Sequence, residues 1–308
     1  MNRCPITYEE CGEQKYSSQG VHLLSKKLHN LKDFPYTSKE QIQKALELAS
    51  KLSIQGVQPK LSAIINPQHE MFEIVERGGR YIIKPPHHIY EELPQNEDLT
   101  MKLASEVQIE TPQHGMMYNI DNSLSYFVKR FDRLDGGEKV AAEDFSQLIG
   151  GTRETKYESS MEQVAAQIDK HCTFPFLEKR KLFRLVLFNF LVGNEDMHLK
   201  NFTLLRRDAR VFLSPAYDLV NTTIVLKTKE EIALPLRGKK SRLRREDLID
   251  YFGQERLGLP QTVIQEELVS FETALSRWEE LLIKSFLSEK AKEAYRSLIK
   301  SRWDRFSR

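Results

Sequence analysis

The sequence FNFLVGNEDMHLKNF, residues 188–202, places an apolar run directly before a cluster of polar side chains. The run begins near residue 178 and is apolar almost all round, which predicts a helix buried on every side. Gly193 ends it, and a strand is predicted at 202–205. Within six residues follow the site candidates Asp196, His198, Lys200 and Asn201. Polar groups packed this densely beside a core helix cost free energy unless they bind something. The segment therefore indicates a functional site.

A second aspartate, Asp218, follows Asn201 by 17 residues, in the stretch LSPAYDLV. Asp196 suits a base that accepts a hydroxyl proton. The Asn five positions on and the second Asp suit the two ligands of a Mg²⁺ ion that bridges ATP phosphates. Each of the three alone could cap a helix or turn, but their order favours the site. His198 is better suited to be a buried side chain that supports the turn through a hydrogen bond than to transfer a proton. Lys200 could contact phosphate or be a solvated surface lysine.

Three upstream features fit the same chemistry. Lys84 ends the predicted strand YIIK, from which its ammonium group could reach the α and β phosphates, and Glu97 at a helix start could pair with it. Residues 128–131 would connect two lobes and offer backbone groups to adenine. The loop SIQGVQPK, residues 53–60, contains Gly56 and precedes a strand, so its amides could cradle phosphate. This loop is weak evidence by itself, since it is neither a P-loop nor a Gly-rich kinase loop.

The first half of the chain is predicted to be a small sheet carrying helices. Ser38 can cap a helix over 38–52 with an apolar face, and a second helix is predicted over 97–106. The β-prone runs lie at 60–65, 71–75, 80–84, 116–118 and 124–130, with Arg77-Gly78-Gly79 as a turn.

Beyond Glu143 the pattern becomes helical, with helices predicted over 161–171 and 178–192. An apolar stripe steps by three or four residues through Ile264, Leu268, Phe271, Leu275, Trp278 and Leu282. This stripe predicts core packing, because a partner-binding coiled coil would need more heptads. We therefore predict an α+β fold with a weakly patterned N-terminal segment (1–35), a β-rich lobe (36–131) and a mostly helical lobe (132–308).

Composition limits the classes of function. The chain has 308 residues and a net charge of +2, so attraction to nucleic acid is not a property of the whole chain. No apolar stretch is long enough to span a membrane, and the start lacks the pattern of a secretory signal. Three cysteines are too few for a disulfide framework. These features predict a cytoplasmic protein without membrane contact.

Two further segments leave alternatives open. Cys4 and Cys11 are spaced too widely for a common zinc knuckle, so free thiols are favoured over a metal site. The segment RGKKSRLRRED, residues 237–247, carries six basic and two acidic residues. It could meet tRNA on a synthetase or DNA through another protein, but a solvated loop is the favoured interpretation.

Taken together in order, the motifs resemble those of the HipA toxin kinases over about residues 50–300. The matching motifs are S-I-x-G-x-Q-x-K at 53–60, Asn96-Glu97, KRFDR at 129–133, EDFSQL at 143–148, D-x-H-x-K-N at 196–201 and PAYDL at 215–219. The resemblance implies a protein-kinase-like bilobal fold, with a small β-rich N-lobe and a larger helical C-lobe. It also implies an ATP- and Mg²⁺-dependent serine/threonine protein kinase that acts as a toxin.

The resemblance also implies roles for single residues. Asp196 would be the catalytic base, Asn201 and Asp218 would hold Mg²⁺, and Glu97 would pair with Lys84. Ser53 would be autophosphorylated. Residues expected to contact ATP are Gln55, Gly56, Val57, Gln58, Lys60, Lys84, Lys129, Phe131, Gln147, His198, Lys200 and Tyr217.

Only 52 residues precede Ser53, too few for the additional N-terminal subdomain of HipA. This shorter form is similar to HipT, the kinase of a three-gene system in which a separate small protein supplies the missing part. That resemblance implies tryptophanyl-tRNA synthetase as substrate, with the glutamyl enzyme second, and antitoxins of the HipB and HipS type as partners. DNA would be met only through an antitoxin.

Two other functions remain open from the sequence. The same Asp and Asn geometry serves kinases of small molecules, which a deep, closed acidic pocket would indicate. A regulatory module that binds nucleic acid through residues 237–247 would instead show steep salt dependence without ATP turnover.

Overall fold

A computed structural model describes residues 1–52, 59–134, 136–152, 154–226 and 229–307. The described chain mixes helices with antiparallel sheets and divides into two compact units. The first unit comprises Met1–Leu99, Pro112–Gly137 and Lys284–Leu287, and the second comprises Thr100–Thr111, Glu138–Ile283 and Ser288–Arg308. The units interleave along the chain, whereas the predicted lobes are continuous in sequence.

The N-terminal residues pack into the first unit. They form strands β1 (Asn2–Arg3) and β2 (Glu10–Gly12) and helix α1 (Ser18–Leu24), which Ser17 caps. Cys4, Leu28 and Phe34 are completely buried in the core of this unit. Residues 1–35, expected as a separate segment, are therefore part of that core. Their apolar side chains follow no regular period, so only tertiary packing reveals them.

The first unit also contains a five-stranded antiparallel sheet. Helix α2 (Ser38–Leu52) precedes it. The strands are β3 (Leu61–Asn66), β4 (Met71–Ile74), β5 (Tyr81–Lys84), β6 (His114–Tyr118) and β7 (Leu124–Lys129), in the spatial order β4-β3-β5-β7-β6. The predicted helix and all five predicted strands are confirmed, with ends that differ by at most two residues. Helix α3 (Leu93–Glu106) begins four residues earlier than predicted.

The second unit is mostly helical but contains a three-stranded sheet, of which the sequence analysis predicted one strand, at 202–205. Strands β8 (Ala141–Asp144), β9 (Thr203–Arg207) and β10 (Arg210–Leu213) pair in the order β10-β9-β8. The helices are α4 (Phe145–Leu148), α5 (Met161–His171), α6 (Pro175–Val192), α7 (Thr223–Leu226), α8 (Gln261–Lys284) and α9 (Glu289–Ser307), with a π-helix at Asp247–Arg256. Strand β8 is exposed along most of its length, so no apolar alternation marks it.

Helices α6 and α8 build the core of this unit. Trp278 packs edge-on against Phe188 and Phe271, with ring centroids 5.7 and 6.2 Å apart, and its indole donates to the Leu103 carbonyl at 2.9 Å. Five members of the predicted stripe are buried, while Leu275 is only partly buried. The stripe is thus a core face, as predicted.

Within the described residues, no helix is both long and apolar enough to cross a membrane. Cys4, Cys11 and Cys172 are free thiols, and Cys4 is completely buried.

Candidate active site

The candidate catalytic segment begins where helix α6 ends at Gly193. Its φ of 76° lies in the left-handed region, and its N–H donates to the Asn189 carbonyl. A Cβ atom at this position would lie 2.5 Å from Leu298 and 2.7 Å from Thr223. Only glycine therefore combines the required backbone conformation with the available space. The tight stop ends the helix directly before residues 194–201, most of which are buried.

Hydrogen bonds close residues 194–201 into one turn. The Asp196 N–H donates to Asn194 Oδ1 at 3.2 Å, and the Asp196 carbonyl accepts the His198 N–H at 2.8 Å. The same carbonyl accepts Asn201 Nδ2 at 2.9 Å. Since the amide nitrogen of Asn201 already donates to the Asp196 carbonyl, Oδ1 of Asn201 is the atom that could bind a cation. The turn thus places Asp196 and Asn201 together, and we refer to residues 193–201 as the catalytic turn.

Tyr217 connects the second aspartate to the catalytic turn. Its hydroxyl donates to the Lys200 carbonyl at 2.6 Å and lies 2.7 Å from Thr203 Oγ1. Burial raises the pKa of Tyr217, so the phenol keeps its proton and remains a donor. Asp218 follows with φ at 55°, a left-handed conformation that aspartate tolerates better than most residues. Backbone strain of this kind is typical of functional positions.

The negative charges of Asp196 and Asp218 both act on His198. Its side chain is buried, and its Nδ1 has no hydrogen-bond partner among the described residues. Burial lowers the pKa of His198, helped by the charge of Lys156, while Asp196 and Asp218 act in the opposite direction. A neutral imidazole whose buried Nδ1 has no partner among the described residues is better suited to a hydrogen bond with a ligand than to proton donation.

A buried ion pair behind the catalytic turn was not predicted. Arg302, on helix α9, bonds to the Phe190 carbonyl, and its guanidinium lies 3.3 Å from Glu195 and 3.2 Å from Thr223 Oγ1. Thr223 donates to Glu195 at 2.5 Å. Glu195 and Arg302 are only 4% and 5% exposed. This cluster fixes Glu195, the residue next to Asp196. Arg302 lies more than 100 residues from Glu195 in the sequence, so no local pattern could reveal the pair.

We predict that Arg302→Met lowers the free energy of unfolding by about 3 kcal/mol, because it removes the positive charge that lies beside the buried Glu195 carboxylate. Urea unfolding measures the loss. The matched control is Arg296→Met on the same helix, whose partners Glu279 and Glu293 are largely exposed, and which should have far less effect. Equal losses in the two variants would contradict a special role for Arg302.

In the first unit, Lys84 and Glu97 form a buried ion pair. Lys84 Nζ lies 2.5 Å from Glu97 Oε1, with the side chains 3% and 2% exposed. Strand pairing places Tyr126 opposite Lys84, and the ammonium group lies 5.6 Å from the centre of its ring. Desolvation of an ammonium group is costly, and the pair offsets this cost by keeping opposite charges adjacent. The result is a fixed positive group of the kind that binds phosphate.

We predict that Lys84→Ala lowers both turnover and stability, because the buried Glu97 carboxylate would lose the positive charge of Lys84. The double variant Lys84→Met with Glu97→Gln removes both charges and should regain stability without regaining turnover. Thermal unfolding and ATP turnover measured on the same samples separate the two effects. Normal turnover in the double variant would make the pair purely structural.

Other residues expected to contact ATP are placed as follows. Lys60, exposed, directly precedes β3, Lys129 ends β7, and Phe131 follows it. Gln147 belongs to a capping box with Asp144, in which its Oε1 accepts the Asp144 N–H at 3.1 Å, so its amide nitrogen is the group left for a ligand. The residues that lie outside the described part of the chain are Ser53, Gln55, Gly56, Val57 and Gln58.

The donor set of Asn201 and Asp218 fits Mg²⁺. This cation prefers oxygen ligands, keeps several waters and takes only one or two protein groups beside substrate phosphates. Within the described ranges, no three His, Cys, Asp or Glu side chains gather as a metal site. An amide oxygen and one carboxylate are instead the kind of partial site that nucleotide phosphates complete.

The basic segment 237–247 is partly neutralised within its own unit. Lys239 lies 2.8 Å from Asp247, Lys240 lies 3.7 Å from Glu230, and Arg245 donates to the Phe306 carbonyl. Arg242 and Arg244 are exposed. Much of the charge therefore stabilises the loop itself.

Comparison with known proteins identifies the family. The HipA-like C-terminal domain matches residues 52–278, and the chain belongs to this family. A Haemophilus influenzae protein that carries the provisional name of kinase is 30% identical over 72% of this chain and 69% of its own length. The serine/threonine-protein kinase toxin HipA of Shewanella oneidensis is 26% identical over 60% of this chain, and the match covers 47% of the toxin.

Solved structures show the same fold. HipA of Shewanella oneidensis MR-1, in complex with HipB and operator DNA, superposes with a TM-score of 0.70 at 21% identity, over 91% of this chain and 73% of that chain. The Helicobacter pylori proinflammatory kinase CtkA has a TM-score of 0.54 at 15% identity, over 73% of this chain and 86% of its own. The family match and the relatives in sequence support a HipA-like kinase.

Proposed function

We propose that this chain is an ATP- and Mg²⁺-dependent protein kinase that phosphorylates serine or threonine. The observation that carries the proposal is the catalytic turn, in which one backbone carbonyl, that of Asp196, fixes both His198 and Asn201 beside the Asp196 carboxylate. Membership of the HipA-like family supports it. The protein-kinase-like bilobal fold is part of the same proposal.

Each residue of the site has a role in this proposal. Asp196 accepts the proton of the incoming hydroxyl, which makes its oxygen a better nucleophile. Asn201 Oδ1 and the Asp218 carboxylate hold Mg²⁺, which supplies positive charge to the phosphates. Lys84 binds phosphate, with Glu97 fixing its ammonium group. The other proposed ATP contacts are Gln55, Gly56, Val57, Gln58, Lys60, Lys129, Phe131, Gln147, His198, Lys200 and Tyr217.

We further propose that the protein is the toxin of a toxin–antitoxin system of the short HipT type. Its substrate would be an aminoacyl-tRNA synthetase, the tryptophanyl enzyme first and the glutamyl enzyme second. A HipB-type antitoxin is the proposed partner, which the HipA–HipB–DNA neighbour supports. A HipS-type protein is a second proposed partner. Autophosphorylation of Ser53 would add about 1.5 to 2 negative charges near the nucleotide phosphates and inactivate the kinase.

One experiment tests activity, substrate and Ser53 together. The purified protein is incubated with ATP labelled at the γ-phosphate, Mg²⁺ and a bacterial cell extract, and labelled proteins are identified by mass spectrometry. We expect label on one seryl residue of a synthetase and on Ser53. The Asp196→Asn protein is the control and should label neither. Label on small metabolites alone would favour the small-molecule kinase, and absence of any label would contradict the kinase proposal.

A further inference from the structure

The loop between α4 and α5 places a tyrosine on the proposed catalytic base. Tyr157 donates a hydrogen bond to Asp196 Oδ1, and its ring packs edge-on against His198, with centroids 5.2 Å apart. The Leu199 N–H donates to the Lys156 carbonyl at 3.2 Å, so the loop is attached to the catalytic turn at a second point. The roles proposed above leave this tyrosine unused.

The tyrosine hydroxyl can only act as a donor toward Asp196. Burial and the neighbouring carboxylate raise the pKa of Tyr157, so the phenol keeps its single proton at neutral pH. An acceptor hydroxyl must also bond to this carboxylate, because a general base has to contact the proton that it removes. Tyr157 therefore occupies Oδ1, one of the two carboxylate oxygens to which a seryl hydroxyl can bond.

A base that activates a seryl hydroxyl can also activate water. In that side reaction a water oxygen bonds to the γ-phosphorus and the bond from that phosphorus to the bridging oxygen breaks. The water proton passes to the Asp196 carboxylate, and the products are ADP and inorganic phosphate. Enzymes suppress such losses by keeping water from the reacting groups.

We propose that Tyr157 is a specificity-determining residue that fills the acceptor position at Asp196 and denies it to water until a protein substrate arrives. The inference rests on the kinase function proposed above. Tyr157 is 40% exposed, so moving it costs little packing. A protein substrate can offset that cost with contacts elsewhere on its surface, whereas a water molecule has no other contacts to offer.

The test is ADP release from Mg²⁺ and ATP without any protein acceptor. Tyr157→Phe removes one oxygen atom beside Asp196 and leaves room for a water. We expect steady-state hydrolysis to rise about tenfold or more, since a hydrogen bond to a charged group is lost. Adding Asp196→Asn should abolish the rise. All proteins in this test carry Ser53→Ala, because phosphorylation of Ser53 would inactivate the kinase in the proposal above. ADP release then reports hydrolysis alone.

Tyr251→Phe is the matched control. Its hydroxyl also lies 2.9 Å from a carboxylate, that of Glu162, in the same unit but outside the catalytic turn. This variant should hydrolyse ATP at the wild-type rate. If folded Tyr157→Phe hydrolyses ATP no faster than its parent while wild type labels a protein of the bacterial cell extract, the inference is overturned and the kinase proposal stands. If wild type neither binds ATP nor transfers phosphate, the proposed function itself has failed.

Discussion

Replacing Asp196 by asparagine should lower phosphoryl transfer by about 10²-fold or more, the range expected for loss of a general base. The amide is the same size as the carboxylate but cannot accept the hydroxyl proton. The hydrogen bonds that shape the turn use the backbone N–H and carbonyl of residue 196, which the substitution leaves unchanged. ATP affinity should therefore change little.

Initial rates of label transfer and calorimetric ATP binding check this expectation. Asp208→Asn, at a side chain 84% exposed, is the matched control and should retain full activity. Wild-type transfer by a folded Asp196→Asn protein would remove Asp196 from the role of base.

Replacing Asp218 should abolish the dependence of ATP binding on Mg²⁺ and lower turnover by a similar factor, because the charged ligand of the cation is lost. The left-handed backbone of Asp218 complicates Asp218→Ala, since alanine is strained at φ 55°. Asp218→Asn is the cleaner variant, because asparagine adopts this conformation readily and removes only the charge.

Calorimetry in Mg²⁺ and in EDTA measures the effect. Wild type should bind ATP tightly only with the cation, whereas Asp218→Asn should bind it with nearly equal, low affinity in both solutions. Equal affinity of wild type in EDTA and in Mg²⁺ would exclude the proposed cation site.

Local sequence pattern predicted most regular elements. Helices over 38–52 and 161–171 were predicted at their observed ends from their helical apolar pattern. The predicted cap Ser38 is wrong, because Oγ1 of Thr37 accepts the Glu40 N–H at 3.3 Å while Ser38 bonds to Asp121. The apolar run before Gly193 predicted a buried helix, and α6 is buried over most of its length. Periodicity is a local property, so these elements needed no knowledge of the fold.

Elements whose apolar residues follow no regular period were missed. Strand β8 has three exposed residues among its four, and it is a strand because β9 pairs with it. The first 35 residues contribute Cys4, Leu28 and Phe34 to the first core, although their spacing indicates neither helix nor strand. Tertiary contacts alone decide such segments.

The sequence by itself predicted the class of chemistry, since Asp196, Asn201 and Asp218 carry the oxygen donors and the carboxylate base that the proposed phosphoryl transfer would need. Only the tertiary structure decided what surrounds them. The buried Arg302 beside Glu195 and the Tyr157 hydroxyl on Asp196 come from distant segments of the chain. The physical reason is that a side chain's chemistry is fixed by its type, whereas burial and hydrogen-bond partners depend on which segments folding brings together.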